Sequence, residues 1–211
     1  MKALVSIITV NYNGLRDTCE MIDSFRNHET YPHYEIIVVD NGSRLPEAEE
    51  IQERYRSNLV PDGSLSGSPA SDNPASFPPV KVVRNINNGF AGGNNAGLKA
   101  AGGDYLFFIN NDTLIKEPVL DALVRRMECD PQRNGGVSPM LKFAACPDIL
   151  QYAGFTPLSS LTLRNASIGF MQQDGPRFRT PCETASLHGA AMMVSRQKLQ
   201  DAGPMRAIYF L

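Results

Sequence analysis

Residues 107 to 113 read "FFINNDT", an apolar run that ends abruptly on Asn110, Asn111 and Asp112. A carboxylate at a strand end has two roles open to it. It caps the following turn through an Asx bond, with Thr113 assisting. Or it serves as a hard oxygen ligand for a divalent cation that diphosphate oxygens already hold. One protein carboxylate suffices for the second role if the substrate supplies the remaining ligands. Asn110 and Asn111 favour it, because neutral amides bind sugar hydroxyls or phosphate without adding charge repulsion. Asp40 ends another apolar run, "YEIIVVD", and is followed by Asn41-Gly42-Ser43. It either caps that turn or accepts a hydrogen bond from the imide N–H of a pyrimidine.

"GFAGGNNAG" (89–97) has glycines at 89, 92, 93 and 97. It follows the third apolar run instead of the first and lacks the G-x-G-x-x-G order, so it is not a dinucleotide fingerprint. No Gly-Lys-Ser/Thr occurs, which excludes a P-loop. What remains is a loop whose backbone approaches a ligand closely and leads into a helix N-terminus. Close helix packing at Gly97 is the plainer alternative. His188, with Gly189, Ala190 and Ala191, reads either as a wall for a sugar or as simple close packing. No Ser-His-Asp or Cys-His set is present.

The elements that must position these groups alternate. The runs at 4–10 and 34–40 read as buried strands, and 80–84 and 104–110 as the third and fourth strands. Between them, 15–27, about 46–56 and about 93–101 read as helices, with a fourth helix entered at Pro118 and running to about Glu128. Leu15, Cys19, Ile22 and Phe25 fall on one face of the first helix. This β-α order predicts a doubly wound, mostly parallel sheet, whose ligands bind at the carboxyl ends of the strands. The polar residues at those ends are Asn11-Tyr12-Asn13, Asp40-Asn41, Asn85 to Asn95 and Asn110-Asn111-Asp112. After Pro131 the pattern loosens: "GGVSPMLKF" and "ILQYAGF" read as short strands, 157–181 as loop, and "SLHGAAMMVSRQKLQDAG" as a strand running into a short helix.

The chain has 211 residues, 42% hydrophobic and 20% charged, enough for one sizeable core. A formal net charge of −2 offers no bulk attraction for nucleic acid or an anionic membrane. Four cysteines lack metal-clip or redox spacing and read as free thiols, with Cys19 and Cys129 on apolar helix faces. The N-terminal "MKALVSIITVNYNG" reads as a strand and not a signal peptide, and no window has the apolar length of a membrane span. Residues 57–79 are rich in Ser, Pro, Gly and Asp and read as a flexible surface loop.

Four stretches together resemble the family 2 glycosyltransferases: "VSIITVNYNG" (5–14), "EIIVVDNGS" (35–43), "NNGFAGGNNAGLKAAGGDYLFFINNDT" (87–113) and "HGAAMMVSR" (188–196). The block from 87 to 113 looks most like the bacterial branch that includes rhamnosyltransferases of cell-surface polysaccharide synthesis. The resemblance implies a GT-A fold, a UDP- or dTDP-sugar donor and direct displacement with inversion. It implies that Val10 and Tyr12 flank the base, that Asp40 binds it, and that Gly89, Phe90 and Asn94 line the donor pocket. Asn110-Asn111-Asp112 stand at the family's Asp-x-Asp motif, with Asn110 replacing the first Asp, so Asp112 is the expected ligand for Mn2+ or Mg2+. His188, Gly189 and Ala190 are expected on the acceptor side, facing a glycan or lipid-linked acceptor.

The expected organisation is a single incomplete domain, 1–113 for the nucleotide-sugar and 114–211 as a partial, loop-rich acceptor side. The family's catalytic base follows a strand like "AIYFL", where this chain stops. The base is therefore expected beyond Leu211, with Glu183 and Asp174 as fallbacks. A cytoplasmic location is expected, with peripheral attachment to the inner face of the membrane left open. A nucleotidyltransferase is the rival enzyme class, but "NYNGLRD" lacks its glycine- and lysine-rich loop. A nucleotide-binding fragment without catalysis is the other alternative.

Overall fold

Four parallel strands form the frame: β1 (Val5–Asn11), β2 (Tyr34–Asp40), β3 (Val80–Arg84) and β4 (Tyr105–Ile109). We describe them from a computed structural model of residues 2–56 and 78–206. The anticipated loop at 57–79, save its last two residues, and the terminal "AIYFL" lie outside the described residues.

β2 is buried at every position, as its unbroken apolar run requires of a strand covered on both faces. The strand order is β3-β2-β1-β4-β8-β5, where β5 is Gly136–Val137 and β8 is Ala191–Ser195. β8 runs antiparallel to both of its neighbours, so the sheet is mixed, with its parallel part first. The order reverses between β1 and β4. That switch point opens a crevice at their carboxyl ends, where Asn11 and Asn110 emerge.

Helices cover both faces. α1 (Leu15–His28), α2 (Glu47–Arg54) and α4 (Leu120–Cys129) bury Cys19, Ile22, Phe25, Ile51, Leu123 and Met127 against one face. α3 (Gly89–Ala100) and α5 (Arg196–Ala202) lie on the other, over Ile8, Ile37, Val39, Leu106 and Phe108. β6 (Leu141–Phe143) and β7 (Cys146–Tyr152) form a separate two-stranded ribbon in the second half. No described helix is long and apolar enough to cross a membrane.

Three expectations need correction. α3 begins at Gly89, four residues before the anticipated start, because Gly93 and Gly97 are helical packing residues and not part of a turn. A Cβ on Gly97 would stand 2.5 Å from Ile8 Cγ2, and one on Gly93 would stand 2.9 Å from Val10 Cγ1. Bare backbone lets α3 sit down on the sheet, and that packing overrides poor helix propensity. Cys129 is exposed, not on an apolar face, because it is the last residue of α4 and extends past the core. α4 itself starts at Leu120, just after Pro118. Its first amides, Val119 N and Leu120 N, donate to Glu29 Oε2 at 2.9 and 3.1 Å, so the end of α1 caps α4.

Candidate functional site

At the carboxyl end of β1, Asn11 is fully buried and surrounded by acceptors. Its Nδ2 donates to Glu47 Oε2 at 2.8 Å, Asp40 Oδ1 at 3.1 Å and Ser43 Oγ at 3.2 Å. Its Oδ1 accepts from Thr18 Oγ1 at 2.7 Å. Asp40 Oδ1 also accepts from Ser43 Oγ, and Glu47 Oε2 takes the Gly14 N–H at 3.1 Å. Asp40 is 8% exposed and Glu47 5%. Two carboxylates are thus sunk at one sheet edge and hydrogen-bonded through one amide, which makes their burial tolerable. Asp40 does close its turn, through Ser43. Both bonds go to Oδ1, leaving Oδ2 without a partner among the described residues, so the base-binding role stays open to it.

A second amide network holds α3 to the strand ends. Asn41 Nδ2 donates to Gly89 O at 3.2 Å and Asn87 Oδ1 at 3.3 Å, and Asn85 Nδ2 donates to Asn41 Oδ1 at 2.8 Å. Gly89 adopts φ 78°, a backbone region that favours glycine. Asn94, 2% exposed, donates to Phe90 O at 2.9 Å. The expected aromatic contacts, Tyr12 and Phe90, have 47% and 41% of their surface open at this edge. Val10 lies beneath Gly93.

Asn110-Asn111-Asp112-Thr113 form a turn closed by Thr113 N donating to Asn110 O at 3.1 Å. That closure is backbone to backbone, and the Asp112 carboxylate takes no following amide among the described residues, so its Asx capping role is not used. The Asp112 side chain is exposed and makes no hydrogen bond or ion pair with any described residue. Asn111 turns inward, its Nδ2 donating to Thr18 Oγ1 at 3.1 Å. Asn110 N donates to Ala190 O at 2.9 Å, which ties the turn to the His188–Ala190 segment.

His188 stacks on Phe155, with planes 4° apart and centroids at 6.0 Å, and tilts against Tyr152. Its Nδ1 accepts the Ala190 N–H at 3.1 Å. Burial among these rings pushes its pKa below the ordinary histidine value. A neutral ring with Nδ1 accepting carries its proton on Nε2. Gly189 is exposed, and a Cβ there would meet nothing within 4 Å.

The fallback bases are both engaged. Lys142 first, then Arg179, hold the Asp174 carboxyl below the usual range, at 2.8 and 2.7 Å. Glu183 pairs with Arg133. A cavity of about 900 Å3 lies in the second half, lined by Arg126, Arg133, Tyr152, Arg179 and Glu183 among others, and none of Asp40, Asn94 or Asp112 reaches it.

Inspection of the sequence missed Thr18, Ser43, Glu47 and the structural part played by Asn11. Asn11 is a polar residue ending β1, and Thr18 lies on the buried side of α1. Neither position alone shows where its partner lies.

The sequence model of Glycosyl transferase family 2 matches residues 6–201. Uncharacterized glycosyltransferase EpsJ of Bacillus subtilis (strain 168) is 30% identical over 128 residues, covering 61% of this chain and 31% of EpsJ. In fold, the chain resembles S. aureus TarS 1-349 with a TM-score of 0.63 at 16% identity, covering 99% of this chain and 52% of that one. It also resembles the mannosyltransferase PcManGT from Pyrobaculum calidifontis, solved with GDP-Man and Mn2+, with a TM-score of 0.60 at 17% identity over 99% and 49%. The chain spans about half of those two chains and less than a third of EpsJ. The fold is that of the GT-A glycosyltransferases, and with residues 6–201 matched the chain belongs to glycosyl transferase family 2.

Proposed function

We propose that the chain carries the donor site of an inverting glycosyltransferase. Its donor is a UDP- or dTDP-sugar, and its acceptor is a hydroxyl of a cell-surface polysaccharide or lipid-linked glycan. One observation carries this reading: at the switch point of a GT-A sheet, the Asp112 carboxylate projects from a backbone-closed turn with no described protein partner. The position suits a ligand, not a structural bond. PcManGT, solved with a nucleotide-sugar and Mn2+, shares the fold.

The base sits against Val10 and between the open faces of Tyr12 and Phe90, with Asp40 Oδ2 accepting its imide N–H. The diphosphate lies over the N-terminus of α3, where the helix dipole and the first-turn amides beyond Gly89 N, itself bonded to Asn87 Oδ1 at 3.2 Å, favour anions. Asp112 is a suitable hard-oxygen ligand for Mn2+ or Mg2+. No group of three His, Cys, Asp or Glu converges among the described residues, so the donor's own oxygens complete the shell. A bound divalent cation stabilises the charge that builds on the departing diphosphate. Asn110 and Asn111 line the same turn without adding negative charge beside it. On the acceptor side His188 is neutral near pH 7 and offers Nε2–H to a sugar hydroxyl. Gly189 and Ala190 leave room for the ring.

Direct displacement needs a base for the acceptor hydroxyl. Asp174 is a weak candidate, because Lys142 and Arg179 stabilise its deprotonated form and reduce its basicity, and Glu183 is engaged by Arg133.

Calorimetric titration with UDP and with dTDP, with and without Mn2+, tests the reading. Binding to at least one nucleotide should strengthen with Mn2+, and Asp112→Ala should abolish the metal-dependent part while preserving the melting temperature. Metal-independent binding, or none to either nucleotide, contradicts the assignment.

A further inference from the structure

We propose that Thr18 is a positioning residue: it fixes the amide orientation of Asn111, so that Asn111 shows an acceptor oxygen, not a donor N–H, to the ligand beside Asp112. The proposal rests on the donor-site reading above for its ligand, but its structural basis stands independently.

The chain of bonds begins at the two sunken carboxylates. Asp40 and Glu47 accept only, so the amide between them must present its N–H2 side. Asn11 does so, at 3.1 and 2.8 Å. A flipped Asn11 would set its oxygen against both carboxylates. With Nδ2 committed, Asn11 Oδ1 has to accept, and Thr18 Oγ1 donates to it at 2.7 Å. A threonine hydroxyl has one proton. Once that proton is given to Asn11, only lone pairs remain, and they accept Asn111 Nδ2 at 3.1 Å. Every donor therefore points the same way, from Asn111 through Thr18 and Asn11 to the carboxylates. Such aligned bonds polarise one another in a buried setting, and Thr18 and Asn11 are both fully buried.

Asn111 Oδ1 is consequently turned away from Thr18 and has no described hydrogen-bond partner. It is an amide oxygen one residue from the Asp112 carboxylate. Chemically it suits a cation or a sugar hydroxyl and repels a bare phosphate oxygen. The inward side of Asn111 is fenced sterically as well. A Cβ on Gly14 would stand 2.6 Å from Asn111 Nδ2 and 3.5 Å from Asn11 Oδ1, so glycine at 14 leaves the space this amide occupies. Gly14 N, bonded to Glu47 Oε2, holds that backbone in place.

Thr18→Val keeps the shape and removes the relay. It leaves Asn11 Oδ1 and Asn111 Nδ2 unpaired, and the Asn111 amide loses its fixed orientation while the backbone bonds of the turn remain. Affinity for UDP in the presence of Mn2+ should fall roughly tenfold, the scale of one buried unsatisfied group. Affinity for uridine, which lacks the diphosphate, should stay within about twofold. Thr18→Ser restores the hydroxyl and should recover most of the loss. A merely structural role would lower both affinities together. Equal loss for UDP and uridine, or an unchanged UDP affinity, overturns the proposal. A ligand-free readout separates it from the donor-site reading: the Asn111 side-chain NH2 should exchange slowly with water in the wild type and in Thr18→Ser, and quickly in Thr18→Val. If wild type fails to bind UDP yet shows this pattern, the relay stands and the donor assignment falls. Equally fast exchange in all three refutes the relay.

Discussion

Gly97→Ala separates packing from propensity in α3. In an exposed helix this change stabilises by about 1 kcal/mol, because alanine is the better helix former. Here the new methyl would meet Ile8 Cγ2 at 2.5 Å and Val39 Cγ2 at 3.0 Å, against the 3.5–4.0 Å at which carbon atoms rest. Both neighbours are fully buried side chains of central strands. They cannot swing away, so α3 must lift by roughly 1 Å. Overpacking of this kind costs about 1–3 kcal/mol, which outweighs the propensity gain and leaves a net loss near 1 kcal/mol. For a chain of this size that lowers Tm by about 2–4 °C. Gly92→Ala is the control. The three atoms nearest its Cβ all belong to the Asn88 side chain, which is exposed and free to rotate at the expense of the Asn85–Asn88 bond. Thermal melts followed by circular dichroism should rank Gly97→Ala below wild type and below Gly92→Ala. Gly97→Ala melting at or above wild type would show that α3 does not rest on the sheet through its glycines. As α3 carries Gly89, Phe90 and Asn94, the same lift should weaken nucleotide binding.

Two predictions concern pH. Burial alone would raise the Glu35 carboxyl, but Lys81 at 2.6 Å, the Gly102 N–H at 2.7 Å and Ser6 Oγ at 2.8 Å outweigh it and hold it below the usual carboxylate range. Its stabilisation is complete above the unfolded value of about 4.3 and is lost as pH falls toward the lower folded value. Urea titrations of Glu35→Gln should therefore show a shallower loss of stability below about pH 4.3 than wild type; identical slopes would contradict the assignment. For His188, whose folded pKa is lowered by burial, the unfolded chain takes up a proton first as pH drops below about 6.5. Stability should fall from there downward, and His188→Phe should remove that part of the slope.

The first half of the fold was legible because its strands announce themselves. Runs such as "EIIVVD" admit little besides a buried strand, and β2 and β3 begin and end where the runs do. Where local signals conflict with packing, the sequence misleads. "GFAGG" reads as a turn, yet its glycines are helical because the sheet leaves no room for side chains at Gly93 and Gly97. β5 is too short to show a period and is a strand only because β8 pairs with it. The site divides in the same way. Asp112 and Asp40 were visible as carboxylates ending apolar runs. Thr18 and Glu47 were not, because their roles arise only where α1, α2 and the end of β1 converge. The hydroxyl of Thr18 and the carboxylate of Glu47 meet the same Asn11 across 7 and 36 residues of chain.

The central claim is that a metal–nucleotide complex binds at Asp112, on the switch point between β1 and β4. Bound Mn2+ is paramagnetic and broadens the amide resonances nearest to it. Adding Mn2+ with UDP or dTDP should broaden Asn110 to Thr113 first, then the segments about Asn11, Asp40 and Gly89, and should leave residues 178–187 sharp. Broadening centred on the second-half cavity around Arg133 and Glu183, or unchanged by Asp112→Ala, would contradict it.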